Sequence, residues 1–153
     1  MTNDLIIRRA SPDDFEAWKA LWDGYNAFYG REGTTALPME VTRTTWSRFF
    51  DPYEPMLAWV AEASGSLLGL AHALLHRSTL QLVPSCYLQD LFTAPAARGK
   101  GVARALIQAV HDEAARLGCR RLYWQTHETN ATARALYDQV ATRSGFIVYQ
   151  QLL

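Results

Sequence analysis

Tyr87-Leu88-Gln89-Asp90-Leu91-Phe92-Thr93-Ala94-Pro95-Ala96-Ala97-Arg98-Gly99-Lys100-Gly101-Val102-Ala103 is the stretch from which the rest of the chain can be read. An apolar run gives way to a short Ala/Pro connection and then to a loop with two glycines and two cations. Val102, Leu106, Ala109, Val110, Ala114 and Leu117 follow at helical spacing. The pattern predicts a strand, a turn and a helix whose first turn is stripped of side-chain bulk. The free N–H groups of such a turn converge on one point, and the helix dipole makes that point favourable for an anion. Arg98 and Lys100 add charge, while Gly99 and Gly101 allow a ligand close to the backbone. Together these features predict a pyrophosphate cradle.

Two common cradles are excluded by spacing. A P-loop needs G-x-x-x-x-G-K-[ST], but Ala94 stands at its first glycine and Gly101 at its hydroxyl position. A dinucleotide fingerprint needs a third glycine where Arg104 stands, and Cys119-Arg120-Arg121-Leu122 offers no ribose-binding acid. What remains is R-x-x-G-x-A, Arg98 to Ala103.

Outward from this centre, the elements follow one another without a linker, repeat or low-complexity stretch. Leu5-Ile6-Ile7 predicts a first strand. Ser11-Pro12-Asp13-Asp14 predicts a helix start, followed by Phe15, Trp18, Leu21, Trp22, Tyr25 and Phe28-Tyr29 on one wide aromatic face. Most of these rings suit a core, but a face this rich in Tyr and Trp also suits the wall of an acceptor site. Pro38 starts a second helix carrying Val41, Thr45, Trp46 and Phe49. Leu57–Glu62 and Leu67–Leu75 flank Ser64-Gly65-Ser66 as a hairpin. Within the second of these strands, His72 and His76 share a face, but without a third ligand nearby they read as structural histidines. Downstream, the long helix ends at Gly118 and Leu122–Thr126 predicts a fifth strand. Asn130 caps a helix showing Ala133, Leu136, Tyr137, Val140 and Ala141, and Gly145–Tyr149 is expected to close the sheet. The order β-α-α-β-β-β-α-β-α-β predicts a single α/β domain over residues 1–153, a mixed sheet covered by helices.

Composition narrows the function. The 153 residues suffice for one sizeable core, and 49% hydrophobic content is ordinary for a globular chain. Fifteen basic residues balance fifteen acidic ones, so no global field draws nucleic acid or an anionic membrane. Without a signal pattern or a spanning apolar run, a cytoplasmic location is expected. Cys86 and Cys119 form no disulfide framework or metal-ligand spacing and read as small core residues.

The Arg98–Ala103 motif, between a strand and an apolar helix, resembles the acetyl-CoA signature [QR]-x-x-G-x-[GA] of the GNAT superfamily of N-acetyltransferases. Asn130-x-x-Ala133-x-x-x-Tyr137 followed by Gly145-Phe146 is similar to that family's second motif, in the right order. With the first strand and helix, the resemblance spans nearly the whole chain. More narrowly, Tyr123–Asn130, Leu136–Ala141 and Tyr87–Phe92 look like the histone and polyamine acetyltransferase-like branch, although Gln89 stands where polyamine enzymes usually carry an acid.

The resemblance implies a GNAT-like, largely antiparallel sheet and an enzyme using acetyl-CoA without metal. It implies that Leu91, Phe92, Thr93, Arg98, Gly99, Lys100, Gly101, Val102, Ala103, Asn130 and Tyr137 hold the donor. A backbone N–H near Leu91 would meet the developing oxyanion where the fourth strand splays from the fifth. An alkylammonium with a pKa of about 10.4 is largely charged near neutrality, so a proton must leave it. Asp90, expected in phase with Leu88 and Phe92 on the strand, is one candidate base; water, Glu128 and His127 are others. Tyr137 matches the family's thiolate-protonating tyrosine. Tyr25, Tyr29, Gln89 and His127 are expected to line the acceptor side. The expected acceptor is a small-molecule primary amine. A protein lysine acetyltransferase and a non-catalytic acyl-CoA-binding module are the alternatives, and a homodimer is expected because relatives form them.

Overall fold

A computed structural model describes residues 4–153. Five strands, β1 (Ile6–Arg9), β2 (Met56–Ala63), β3 (Ser66–His76), β4 (Ser85–Thr93) and β5 (Leu122–Tyr123), form one sheet in sequence order. Neighbouring pairs are antiparallel from β1 to β4; β5 alone runs parallel, meeting β4 only at Cys86↔Leu122 and Tyr87↔Tyr123. The β2–β3 hairpin turns on Ser64 and Gly65, both at positive φ, as a two-residue loop matched to strand twist requires.

Helices α1 (Phe15–Phe28) and α2 (Met39–Arg48) cover one face. Their core joins Trp18, Leu21, Trp22, Tyr25, Trp46 and Phe49 to Ala58 and Leu70 of the sheet. The other face receives α3 (Val102–Arg116), which buries Val102, Leu106, Ile107, Val110 and Ala114 against Ala71, Ala73, Cys86 and Leu88. Gly69 sets how closely α3 approaches. A Cβ there would lie 2.8 Å from the Phe92 carbonyl oxygen and 3.0 Å from Val102 Cγ1.

Three expectations need correction. Leu88 pairs with Ala73 and Asp90 with His72, so Gln89 is an extra residue bulging from β4. Leu88 therefore faces α3, while Asp90 reaches His72 and Phe92 packs with the α1–α2 core; Asp90 is out of phase with Leu88. The fifth strand is two residues long, not five. Gly145–Tyr149 does not close the sheet: residues 141–153 are all exposed, and none of residues 142–153 joins a strand. A strand exists only through its ladder partner, and among the described residues no backbone group of another element bonds this segment. The last helix, α4 (Ala131–Val140), is amphipathic yet has no buried residue; Leu136, Tyr137 and Val140 are only half-covered.

Candidate active site

The loop after β4 has the expected shape. Gly99 and Gly101 sit at φ +76° and +82°, and no atom lies within 4 Å of where a Cβ would stand on either. Gly101 is the N-cap of α3 in the left-handed region, which only glycine occupies cheaply. The first intrahelical bond runs from Ala105 N–H to the Gly101 carbonyl, 3.0 Å. Among the described residues, the N–H groups of Gly99 through Arg104 make no hydrogen bond within the chain. Open space lies in front of these unpaired donors, beside the exposed Lys100, so the loop fits a diphosphate. Val102 turns its side chain into the core and Ala103 adds little bulk, so both present mainly backbone. Arg98 departs from expectation. Its Nε donates to the Thr93 carbonyl at 3.2 Å and its guanidinium lies 5.8 Å from the centre of the Phe92 ring. Its side chain braces the strand-to-loop corner.

Beyond Tyr87 the parallel pairing stops and the β4 edge that β5 would cover lies open. Ala94 N–H bonds the Leu68 carbonyl at 2.8 Å, so by alternation Phe92 and Asp90 aim their N–H groups at β3. Leu91 and Thr93 then turn theirs toward the open side. A donor thus stands at the mouth of the splay, where charge developing on a carbonyl oxygen would need one.

Asp90 belongs to a chain of hydrogen bonds that the spacing did not disclose. Trp18 Nε1 donates to His72 Nε2 at 2.9 Å, and His72 Nδ1 lies 2.8 Å from Asp90 Oδ2. An indole can only donate. Nε2 is therefore bare, and the imidazole proton sits on Nδ1 and points at the carboxylate. His72 is neutral, and Asp90 Oδ2 is an acceptor. Trp18 and His72 are fully enclosed, at 0% and 1% exposure, and Trp22 and Phe49 complete the box around the imidazole. The register shift at Gln89 is what brings Asp90 opposite His72. His72, read from sequence as a structural histidine, is buried with both ring nitrogens partnered, one of them by the candidate base Asp90. The signal was available: a single polar residue within Leu70-Ala71-His72-Ala73-Leu74 must find a buried partner. With both nitrogens taken, His72 has no lone pair for a metal. His76 instead bonds the Arg77 carbonyl and the Tyr123 hydroxyl, both at 2.8 Å.

Rings at four- and three-residue spacing on α1 lead outward from this box. Trp18 stacks on Trp22, Trp22 on Tyr25, and Tyr25 tilts against the exposed Tyr29, with centres 5.7, 5.5 and 5.0 Å apart. Burial raises the Tyr25 phenol far above its usual range, and the neighbouring Asp90 charge adds to the rise. Burial also raises Tyr137, with Tyr29 contributing; Tyr87 is raised by burial first, then by Tyr123, Asp90 and Tyr29. Tyr25 and Tyr87 thus stand near Asp90 as neutral phenols.

Not every expected residue joins them. Gln89 is exposed on its bulge. His127 is exposed and turned into its own loop, accepting from Thr129 N–H at 3.2 Å. Asn130 begins α4 without a side-chain cap; its amide donates to Thr126 Oγ1 at 3.2 Å. Tyr137 packs edge-on against Trp124, 5.5 Å between centres. Among the described residues no three His, Cys, Asp or Glu side chains gather as a metal site, and no helix is long and apolar enough to cross a membrane.

Comparison with known proteins adds three findings. The model of the acetyltransferase (GNAT) family matches residues 17–141. The D-amino-acid N-acetyltransferase HPA3 of Saccharomyces cerevisiae is 37% identical over 99% of this chain and 93% of its own length. Among solved structures, a probable acetyltransferase superimposes with a TM-score of 0.85 at 23% identity, over 97% of both chains. The aminoglycoside N-acetyltransferase AAC(6')-Iy in complex with CoA gives 0.81 at 19%, over 97% of this chain and 94% of its own.

Proposed function

We propose, from the premise that this chain belongs to the GNAT family of acetyltransferases, that it transfers the acetyl group of acetyl-CoA to the primary amine of a small molecule. Among such amines we favour an amino acid, and we read the enzyme as a homodimer.

The observation that carries the reading is the Trp18–His72–Asp90 chain, which holds a carboxylate acceptor at the mouth of the β4–β5 splay. The unpaired N–H groups of Gly99–Arg104 receive the diphosphate, with Lys100 alongside, and the open edge at Leu91, Phe92 and Thr93 receives the pantetheine. The thioester supplies an activated acyl carbon and a leaving thiol of pKa about 8.5. Asp90 takes the proton that the attacking ammonium must lose, directly or through water. His72, locked by Trp18, positions it. Leu91 N–H meets charge on the carbonyl oxygen. Tyr137, held neutral by burial, is a weaker acid than the thiol. It therefore assists departure mainly by donating a hydrogen bond to the sulfur.

Two features favour an amino acid over a polyamine. Gln89 stands where polyamine-acting members usually carry an acid, so this chain lacks that carboxylate. Arg31 is held by Asn26 at 2.7 Å and lies over Tyr25 and Tyr29, 5.9 and 5.4 Å from the ring centres. A guanidinium there suits a carboxylate and repels a second cation. The relative HPA3, named for D-amino acids, agrees with this direction.

A thiol-release assay with acetyl-CoA over D- and L-amino acids, spermidine, short diamines, aminoglycosides and a histone-tail peptide tests the reading. Amino acids should give the highest kcat/KM. Basic peptides winning outright would promote a protein lysine acetyltransferase. Tight CoA binding with no turnover of any amine would promote a binding module.

A further inference from the structure

Beyond Asp90, the α1 side of the sheet carries a row of side chains that neither core absorbs. Cys86, Leu88, Leu122 and Trp124 pack toward α3. By alternation Tyr87 and Tyr123 face the other way, as does His76, four residues on from His72. The Tyr87 and Tyr123 rings stack with centres 4.9 Å apart. His76 Nδ1 donates to the Arg77 carbonyl, so its Nε2 is bare and accepts from the Tyr123 hydroxyl. The Arg121 guanidinium lies over Tyr123, 3.9 Å from the ring centre, and its backbone carbonyl is fixed by Cys86 N–H at 2.9 Å. Among the described residues, no acid pairs with Arg77, Arg120 or Arg121. Besides burial, the groups that raise the Tyr87 phenol are Tyr123, Asp90 and Tyr29, so Tyr87 stands between this cationic end and the candidate base.

We propose that this row is the subsite for the acceptor's side chain, and that it selects an amino acid whose side chain ends in a carboxylate. With the ammonium at Asp90 and the α-carboxylate at Arg31, as in the amino-acid reading on which this rests, the side chain runs over Tyr87 to Arg121. The bulge leaves Tyr87 and Asp90 two ladder steps apart, opposite Leu74 and His72. Two steps of about 3.4 Å along the strand and one spacing of about 4.8 Å across put Tyr123 about 8–9 Å from Asp90. In glutamate about 5 Å separate the amine from the side-chain carboxyl carbon, and a hydrogen bond of about 2.8 Å at each end completes the span. Aspartate is one bond shorter. The Tyr123 ring holds the plane of the guanidinium while its N–H groups stay free at the edge, the geometry that a carboxylate meets with two parallel bonds.

Steady-state kinetics with glutamate and glutamine, close in shape and different in charge, test the subsite in both D and L forms. In the wild type, kcat/KM for glutamate should exceed that for glutamine by about 5–20-fold, carried by KM, the size of a charge-assisted contact at an exposed site. High salt should shrink the preference. Arg121→Gln should abolish it, and Arg121→Glu should reverse it, with glutamine overtaking glutamate. A side chain that merely braced Tyr123 would not carry the preference with its charge. Each variant is read as a ratio of two substrates, so partial loss of folded protein cancels. Neutral amino acids turned over without any preference for glutamate overturn the subsite alone, as does a preference that survives Arg121→Gln. If no amino acid turns over while another amine does, the subsite and the amino-acid reading fall together.

Discussion

The two sides of the candidate site are built to different standards. Asp90 stands in a finished half, where Trp18, His72, Phe49 and Trp22 are buried and the hydrogen bonds run without a gap. Tyr137 stands in a half whose helix buries nothing, beside a two-residue strand and an uncovered tail. The difference teaches that one site can hold groups of the same reaction under different constraint. Under the proposed reaction, chemistry and stability would share residues in the finished half and separate in the open half.

Asp90→Asn tests this with the largest effect. It keeps the shape, and its amide oxygen still accepts from His72 Nδ1, but it cannot take a proton. We expect kcat to fall about 10²–10⁴-fold, the range of general acid–base catalysis, with melting nearly unchanged. Wild-type turnover would remove Asp90 from the chemistry. Next is Trp18→Phe, which strips the donor from buried His72 Nε2. A loss of about 1–3 kcal/mol in denaturant unfolding is expected for an unsatisfied buried acceptor, together with lower kcat. A variant as stable as wild type would mean the two halves are not built differently.

In the open half, Tyr137→Phe should do the reverse. We expect kcat down about 10–100-fold, at or below the lower end of acid–base effects, with CoA affinity and thermal stability kept. The loss should shrink with acyl donors of more acidic thiols, and parallel melting curves and kinetics decide the matter. Arg98→Ala should be milder still, because the side chain is exposed and engaged with Thr93. KM for acetyl-CoA should rise about 2–5-fold with kcat kept, the size of an exposed charge contact. Unchanged CoA affinity by calorimetry would leave Arg98 only its corner-bracing part. Tyr25→Phe should show its stability effect only in alkali. Unfolded tyrosine ionises near pH 10, while the folded phenol, raised by burial and by Asp90, keeps its proton. Above pH 10 the unfolded state then binds fewer protons, so wild-type stability falls as pH rises. The Tyr25→Phe variant should lose less over that window in pH-dependent urea titrations.

The sequence by itself determined what is local. The cradle was legible because two glycines and a helix start act on their own backbone. The helices and inner strands were legible because burial repeats with the period of each element. Only the tertiary structure decided what depends on register. A single bulge at Gln89 moved Asp90 from the face of Leu88 to that of His72, and no periodicity in one strand records where its neighbour's ladder shifts. It also gave the exposed Arg98 a partner in the Thr93 carbonyl and took the cap away from Asn130, since side-chain partners depend on what the fold brings near. The final segment shows the same division. Phe146–Tyr149 has the composition of a strand, but pairing needs an edge, and the edge it can reach is not set by its own residues.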